Sequence, residues 1–115
     1  MRYNQADTDR KGRGVVARVL ELDEIRSTVS DLGRQYGLKR AYLFGSYARG
    51  EATPESDVDI RIDKGNLRGL FALSGLRLAL VERLNREVDL LTTDSLDAKF
   101  LARIRPEEIQ LYGNE

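Results

Sequence analysis

Residues 39–63 read KRAYLFGSYARGEATPESDVDIRID and contain two predicted strands joined by a loop. The first strand is a short apolar run that ends at Gly45. The second, residues 57–63, alternates strictly between two faces. One face carries Val58, Ile60 and Ile62, and the other carries Asp57, Asp59, Arg61 and Asp63. The loop contains Gly50 and Pro54, so it cannot form one long regular element.

Helices and one further strand are predicted around this pair. Apolar spacing predicts a helix from Val15 to Tyr36 and a second helix from a cap at Asn66 to about Leu84, with Leu70 and Phe71 on its inner side. Residues 87–92 are predicted as a strand, followed by a helix capped by Asp94 or Ser95. Residues 107–112 fit either an edge strand or a helical turn. The order predicts an α/β (α+β) domain with one sheet covered by helices.

Composition limits the chemistry that the chain can perform. Its 115 residues suit one domain, predicted over residues 15–115 after a polar arm at residues 1–14. The sequence has no His and no Cys, which excludes a Ser-His-Asp relay, a thiolate nucleophile and a Cys-based zinc site. The 19 basic and 19 acidic residues cancel, so no direct nucleic-acid binding is expected. No run approaches the 20 or so apolar residues of a membrane span, and a cytoplasmic protein is the expectation.

The turn after the first strand is a candidate phosphate site. Gly45 lets the backbone approach a ligand closely, and Ser46 is predicted to open a short helix that ends at Gly50. A helix N-terminus offers free amides and partial positive charge, and the Ser46 hydroxyl adds a hydrogen-bonding group.

Three acids are candidate metal ligands. Asp57 and Asp59 are two residues apart on a strand, so both carboxylates project from one face and repel each other unless a cation lies between them. Asp89 lies on the next predicted strand, about 4.8 Å away if the two strands are neighbours. Such a site suits two Mg²⁺ ions and phosphoryl transfer.

Residues 45–60, GSYARGEATPESDVDI, resemble the signature of the DNA polymerase β-type nucleotidyltransferases, above all their minimal single-domain (MNT) branch. The resemblance implies a palm fold, a small mixed sheet flanked by helices. It implies that Asp57 and Asp59 bind both metal ions and that Asp89 binds the catalytic ion and accepts the proton of the attacking hydroxyl. Gly45 and Ser46 are then the residues that hold the β- and γ-phosphates of ATP.

The resemblance also implies a partner. Minimal proteins of this branch are often antitoxins paired with a HEPN-domain ribonuclease toxin, the MntA-type antitoxins, and the enzyme transfers AMP from ATP to a toxin tyrosine. The expectation is therefore an AMP-transferring antitoxin in a hetero-oligomer with its toxin. Two alternatives remain open, namely neutralisation by binding alone and nucleotide transfer to a small molecule.

Three side chains near the motif have open roles. Arg49 is expected either to face the phosphates or acidic cluster, or to form an ion pair with Glu51 or Asp57. Arg61 departs from the family, where this position is usually apolar, and it is expected to pair with Asp63 or Asp89 or to contact a phosphate. Tyr47 is expected to pack rather than to stack on adenine.

Overall fold

The structure, a computed structural model, describes residues 18–114. The predicted arm lies outside the described residues, as do Val15 and its two successors. In chain order the elements are α1 (Leu22–Tyr36), β1 (Arg40–Phe44), α2 (Gly45–Arg49), β2 (Val58–Asp63), α3 (Gly69–Leu84), β3 (Val88–Thr92), α4 (Ala98–Ile104) and β4 (Ile109–Tyr112). Short 3-10 turns at Thr93–Ser95 and Arg105–Glu107 precede and follow α4.

The four strands form one mixed sheet in the order β3-β2-β1-β4. Strand β1 is antiparallel to both β2 and β4, whereas β2 and β3 are parallel. Parallel neighbours need a crossover, and α3 supplies it between β2 and β3. This topology confirms the predicted α/β (α+β) class with a small mixed sheet flanked by helices.

The core lies on one face of the sheet. The alternation of β2 directs Val58, Ile60 and Ile62 toward α1 and α3, where Ile25 and Leu76 pack with them. Each fully buried aliphatic side chain of this size contributes about 1.5–3 kcal/mol through removal from water. The opposite face carries Phe44, Asp59 and Arg61, and α4 reaches it through an edge-to-face contact of Phe100 with Phe44.

The sequence predicted the helices correctly but misplaced three of their starts. Helix α1 begins at Leu22 rather than Val15 because Glu21 and Glu24 form a capping box there. Helix α3 begins at Gly69, with Arg68 rather than Asn66 as its N-cap. The backbone amide of Asn66 instead donates to the carbonyl of Gly37, which holds residues 65–67 in a turn.

The second half of the chain adds two corrections and resolves one alternative. Asp97, not Asp94 or Ser95, caps α4 and accepts a hydrogen bond from the amide of Phe100 at 2.9 Å. Residues 109–112 form an edge strand rather than a helical turn. The prediction that Leu70 and Phe71 face inward is wrong, since both side chains are exposed.

None of the helices in residues 18–114 is long and apolar enough to cross a membrane.

Candidate active site

The turn between β1 and α2 forms one side of the candidate site. Helix α2 begins at Gly45, one residue before the predicted start at Ser46, and Gly50 ends it as its C-cap, as the sequence predicted. Gly45 has a φ of 76°, in the left-handed region, and a Cβ there would collide with the carboxylate of Asp59. The turn can therefore lie directly against β2 only because position 45 is glycine.

The strand register aligns this turn with two of the predicted acids. Phe44 at the end of β1 pairs with Asp59 on β2, and Asp59 pairs with Asp89 on β3. Paired residues of neighbouring strands share a face, so both acids lie opposite the core. Asp59 is half-buried, and Asp89 is exposed. Asp57 is exposed and immediately precedes β2.

The Asp59 carboxylate is the most perturbed acid of the site. Its partial burial, followed by the charges of Asp89 and Asp57, raises its pKa from 3.8 to about 6. The guanidinium of Arg49 opposes this rise, and the carboxylate of Glu107 adds to it. A bound cation would favour the ionised form of Asp59, so the electrostatics of the site suit a positively charged ligand.

The donor set suits Mg²⁺, which prefers carboxylate oxygens. Within residues 18–114, however, no three acidic side chains are close enough together to hold one metal ion. The strand register pairs Asp59 with Asp89. Metal binding by Asp57, Asp59 and Asp89 therefore stays a prediction.

Arg49 and the Gly45 amide share an acidic partner that the sequence did not reveal. The backbone amide of Gly45 donates to Oε2 of Glu107 at 2.6 Å, and the Arg49 guanidinium donates to the same carboxylate at 3.2 Å. Arg49 also pairs with Glu51 at 3.0 Å, so of the two predicted roles the structure has the ion pair. A carboxylate thus lies at the amide predicted to bind phosphate, which indicates that this amide can donate to an anionic oxygen.

Arg61 lies on the same face, but its ion pairs are with Asp63 and Glu108 rather than with the predicted metal ligands. Its Nε and Nη2 donate to Glu108 at 2.6 and 2.7 Å, and its Nη1 donates to Thr93 at 2.7 Å. It also pairs with Asp63 at 3.6 Å, one of the predicted partners, and lies over the ring of Tyr42. Glu108 was missed, because only the position of β4 brings it to β2.

Tyr47 and Ser46 flank the turn in different ways. The Tyr47 ring packs against the core, and its hydroxyl accepts a hydrogen bond from the amide of Leu20 at 3.2 Å, which agrees with the predicted packing role. Ser46 is half-buried at the first turn of α2. The structure therefore brings Gly45, Asp59 and Asp89 together on one face of the sheet, and Ser46 follows Gly45 in α2.

Comparison with known families agrees with this arrangement. The family model of the nucleotidyltransferase domain matches residues 22–112, from the start of α1 to the end of β4. The chain belongs to the nucleotidyltransferase domain family. It is accordingly a nucleotidyltransferase enzyme, and its fold is that of the minimal nucleotidyltransferases.

Two named relatives are similar over most of the chain. A candidate protein adenylyltransferase of Methanocaldococcus jannaschii is 36% identical over 92 residues, which are 80% of this chain and 99% of the relative. The protein adenylyltransferase MntA of Thermococcus cleftensis is 37% identical over 82 residues, 68% of this chain and 83% of the relative.

Two solved structures share the fold. A toxin–antitoxin crystal structure with AMP-PNP superposes with a TM-score of 0.66 at 26% identity, over 78% of this chain and 74% of that chain. A tri-AMPylated Shewanella oneidensis HEPN toxin in complex with its MNT antitoxin gives a TM-score of 0.62 at 25% identity, over 78% and 71% of the two chains.

Proposed function

We propose that the chain is a protein adenylyltransferase that transfers AMP from ATP to a tyrosine hydroxyl of a HEPN-domain toxin and so acts as its antitoxin. One observation carries the proposal: Gly45, Asp59 and Asp89 lie next to one another across three adjacent strand ends. Two kinds of similarity support the specific reaction, namely the relatives named as protein adenylyltransferases and the solved toxin–antitoxin complexes.

The proposed roles follow from the chemistry of each group. The Gly45 amide and the Ser46 hydroxyl bind the terminal phosphates of ATP, since both can donate to phosphate oxygen. Asp57, Asp59 and Asp89 would hold two Mg²⁺ ions, which neutralise phosphate charge when bound. Asp89, the exposed acid of the strand pair, accepts the proton of the acceptor hydroxyl.

The proposed transfer is a single displacement. The tyrosine oxygen forms a bond to the α-phosphorus of ATP, and the bond from that phosphorus to the bridging oxygen of the β-phosphate breaks. Pyrophosphate leaves with that oxygen, and the tyrosine proton passes to Asp89. Glu107 must leave the Gly45 amide before a phosphate can occupy it, because two anions cannot share one donor.

A groove beside Asp89 supports a protein acceptor. It has a volume of about 440 Å³ and combines the apolar side chains of Leu91, Leu96 and Phe100 with the cationic side chains of Lys99 and Arg103. Leu91 lies two residues beyond Asp89 on the same face of β3, so the groove borders the proposed proton acceptor. An aromatic side chain can pack among these apolar groups with its hydroxyl directed toward Asp89.

The test is AMP transfer between purified proteins. The chain is incubated with ATP, Mg²⁺ and the toxin encoded beside it, and intact-protein mass spectrometry measures the mass of the toxin. We expect addition of AMP to a toxin tyrosine and loss of that addition in Asp59→Asn and Asp89→Asn. Asp23→Asn is the matched control, because Asp23 is a fully exposed acid on α1 away from the site.

Two other results would identify the alternatives. If Asp59→Asn no longer transfers AMP yet still protects cells from the toxin, neutralisation is by binding alone. If a small molecule gains AMP in the absence of any protein acceptor, the acceptor class is wrong. Full AMP transfer by Asp59→Asn would contradict the site itself.

A further inference from the structure

Helix α3 presents apolar side chains that nothing in residues 18–114 covers. Phe71 is 95% exposed, Leu70 76% and Leu78 61%. Only Leu76, Leu80 and Leu84 of this helix are buried in the core. An amphipathic surface helix normally places polar residues outward, and a helix that is apolar all round is normally buried on every side. The outward face of α3 therefore has the character of an interface.

Phe71 and Leu78 share this outward face with two opposite charges. At 100° per residue, the helical positions within about 60° of Phe71 include Ser74, Leu78 and Glu82, and the N-cap Arg68 directly precedes the helix. We refer to these five residues as the α3 strip. Arg68, the N-cap, donates only to the carbonyls of Gly65 and Leu67 within the described chain. Glu82, in the last turn, makes no ion pair within residues 18–114.

The two other arginines of α3 already have acidic partners. Arg77 pairs with Glu87 at 3.2 Å, and Arg83 pairs with Asp31 at 3.1 Å. The strip consequently has one positive end and one negative end, with two apolar side chains between them and the small Ser74 at its centre.

This pattern is complementary to itself under a two-fold axis. If two copies of α3 pack antiparallel and cross beside Ser74, residues whose numbers sum to about 149 or 150 lie opposite each other. Phe71 then faces Leu78 of the second copy, and Arg68 faces Glu82 of the second copy. A parallel arrangement would bring like charges together at both ends.

We infer that the α3 strip binds the α3 strip of a second copy of this chain. The contact involves one helix face from each copy, so it lies below the roughly 1,200 Å² of a standard stable interface and gives a weak, concentration-dependent dimer. Because α3 covers the core face of the sheet, Asp59 and Asp89 on the other face stay accessible in the dimer. The inference does not depend on the proposed reaction.

Charge reversal tests the pairing. Sedimentation velocity over a concentration series measures the dimer dissociation constant. Arg68→Glu and Glu82→Arg should each raise it about 3- to 10-fold, because each disrupts two symmetric ion pairs. The double variant, which reverses both charges, should return it to the starting value. Phe71→Ser should raise it by about 30-fold or more, since both copies lose an aromatic contact.

Cysteine cross-linking tests the geometry independently. The sequence contains no cysteine, so Ser74→Cys provides a single thiol at the proposed crossing point. Mild oxidation should give a disulfide-linked dimer of Ser74→Cys. The control is Ala102→Cys, an exposed position on α4, which should stay monomeric. Circular dichroism checks that each variant keeps the fold.

Any of three results would overturn the inference. The native chain stays monomeric at every concentration, Ser74→Cys cross-links no more than Ala102→Cys, or the double variant with Arg68→Glu and Glu82→Arg fails to restore dimerisation. If Phe71→Ser instead abolishes capture of the co-encoded toxin by a chain that is monomeric throughout, the α3 strip binds that partner and the dimer is wrong.

Discussion

A single hydrogen atom at position 45 decides how closely the β1–α2 turn can approach β2. Gly45 combines a left-handed backbone with a position where any Cβ would collide with the Asp59 carboxylate. Gly50 has nearly the same φ, 74° against 76°, but has open space around its Cβ position. Comparison of the two glycines therefore separates the effect of a left-handed backbone from the effect of the close contact with Asp59.

Gly45→Ala is expected to damage both stability and transfer, whereas Gly50→Ala is expected to affect stability alone. The strain of a left-handed alanine costs about 1 kcal/mol at either position. At position 45 the displaced Asp59 carboxylate raises the loss to about 2–4 kcal/mol and lowers AMP transfer about 100-fold. Urea denaturation and the mass-spectrometric transfer assay measure the two effects. Equal losses in both variants would contradict a site role for Gly45.

The sequence predicted the candidate site residues whose positions depend on strand alternation and local turns. Asp57 and Asp59 follow from a period of two, and the Gly45-Ser46 turn follows from the end of an apolar run. Glu107 and Glu108 could not be found in the same way. Both acids follow Pro106, and only the pairing of β4 with β1, more than 60 residues away along the chain, brings them to the site face.

At the scale of elements, a buried ion pair connects β2 to the start of β4. The side chains of Arg61 and Glu108 are 5% and 6% exposed, and two hydrogen bonds join them. The hydroxyl of Thr93 accepts a hydrogen bond from Nη1 of Arg61 and donates one to Asp63 at 2.6 Å. The pair thus holds the turn after β3 and the beginning of β4 against the central strand.

Removing one partner of this pair should cost far more than removing both. Arg61→Met leaves the Glu108 carboxylate buried without its partner, and we expect a loss of about 3 kcal/mol in the free energy of unfolding. Arg61→Met combined with Glu108→Leu should recover most of that loss, because well-packed apolar groups can replace a buried pair. Chemical denaturation measures the cycle.

An exposed pair of an arginine and a carboxylate provides the control for this cycle. Arg34 pairs with Asp31 at 2.8 Å on the surface of α1, and Arg34→Met should change the free energy of unfolding by less than about 1 kcal/mol. If Arg61→Met costs no more than Arg34→Met, the buried pair does not hold β4 in place.

The element starts show where local sequence is ambiguous. Asn66, Asp94 and Ser95 are all residue types that favour the N-cap position, yet Arg68 and Asp97 are the N-caps of α3 and α4. Residues 65–67 instead pack against the end of α1, through the Asn66 amide and the buried Leu67. Tertiary contacts of this kind, which no local pattern contains, decided between neighbouring caps.

At the scale of the whole molecule, the two faces of the sheet have opposite consequences for stability. The face that packs on α1 and α3 is apolar and stabilises the fold. The other face carries Asp57, Asp59 and Asp89. There the ionised form of Asp59 is disfavoured by its partial burial and then by the charges of Asp89 and Asp57. The metal-free chain should therefore become less stable as Asp59 loses its proton, and this dependence on pH can be measured.

The sign of the pH dependence follows from Asp59. Its pKa is about 6 in the folded chain and 3.8 as the ordinary value, so the folded state holds this proton more tightly than the unfolded state. The stabilisation that results is fully present below pH 3.8 and is lost as the pH rises toward and through 6. We expect the Asp59 contribution to the free energy of unfolding to fall by about 1–2 kcal/mol across this range, after allowance for partial solvent exposure.

Urea denaturation with a metal chelator, carried out from pH 4 to pH 7.5, measures this contribution. Asp59→Asn cannot ionise, so the variant should lack this fall and should exceed the native chain in stability at pH 7.5, although it no longer transfers AMP. Asp23→Asn, on the distant surface of α1, should follow the native curve. Mg²⁺ in place of the chelator should stabilise the native chain at pH 7.5 more than Asp59→Asn, because a ligand stabilises only the state that binds it. Identical curves for the native chain and Asp59→Asn would mean that the acidic face carries no such conflict between stability and chemistry.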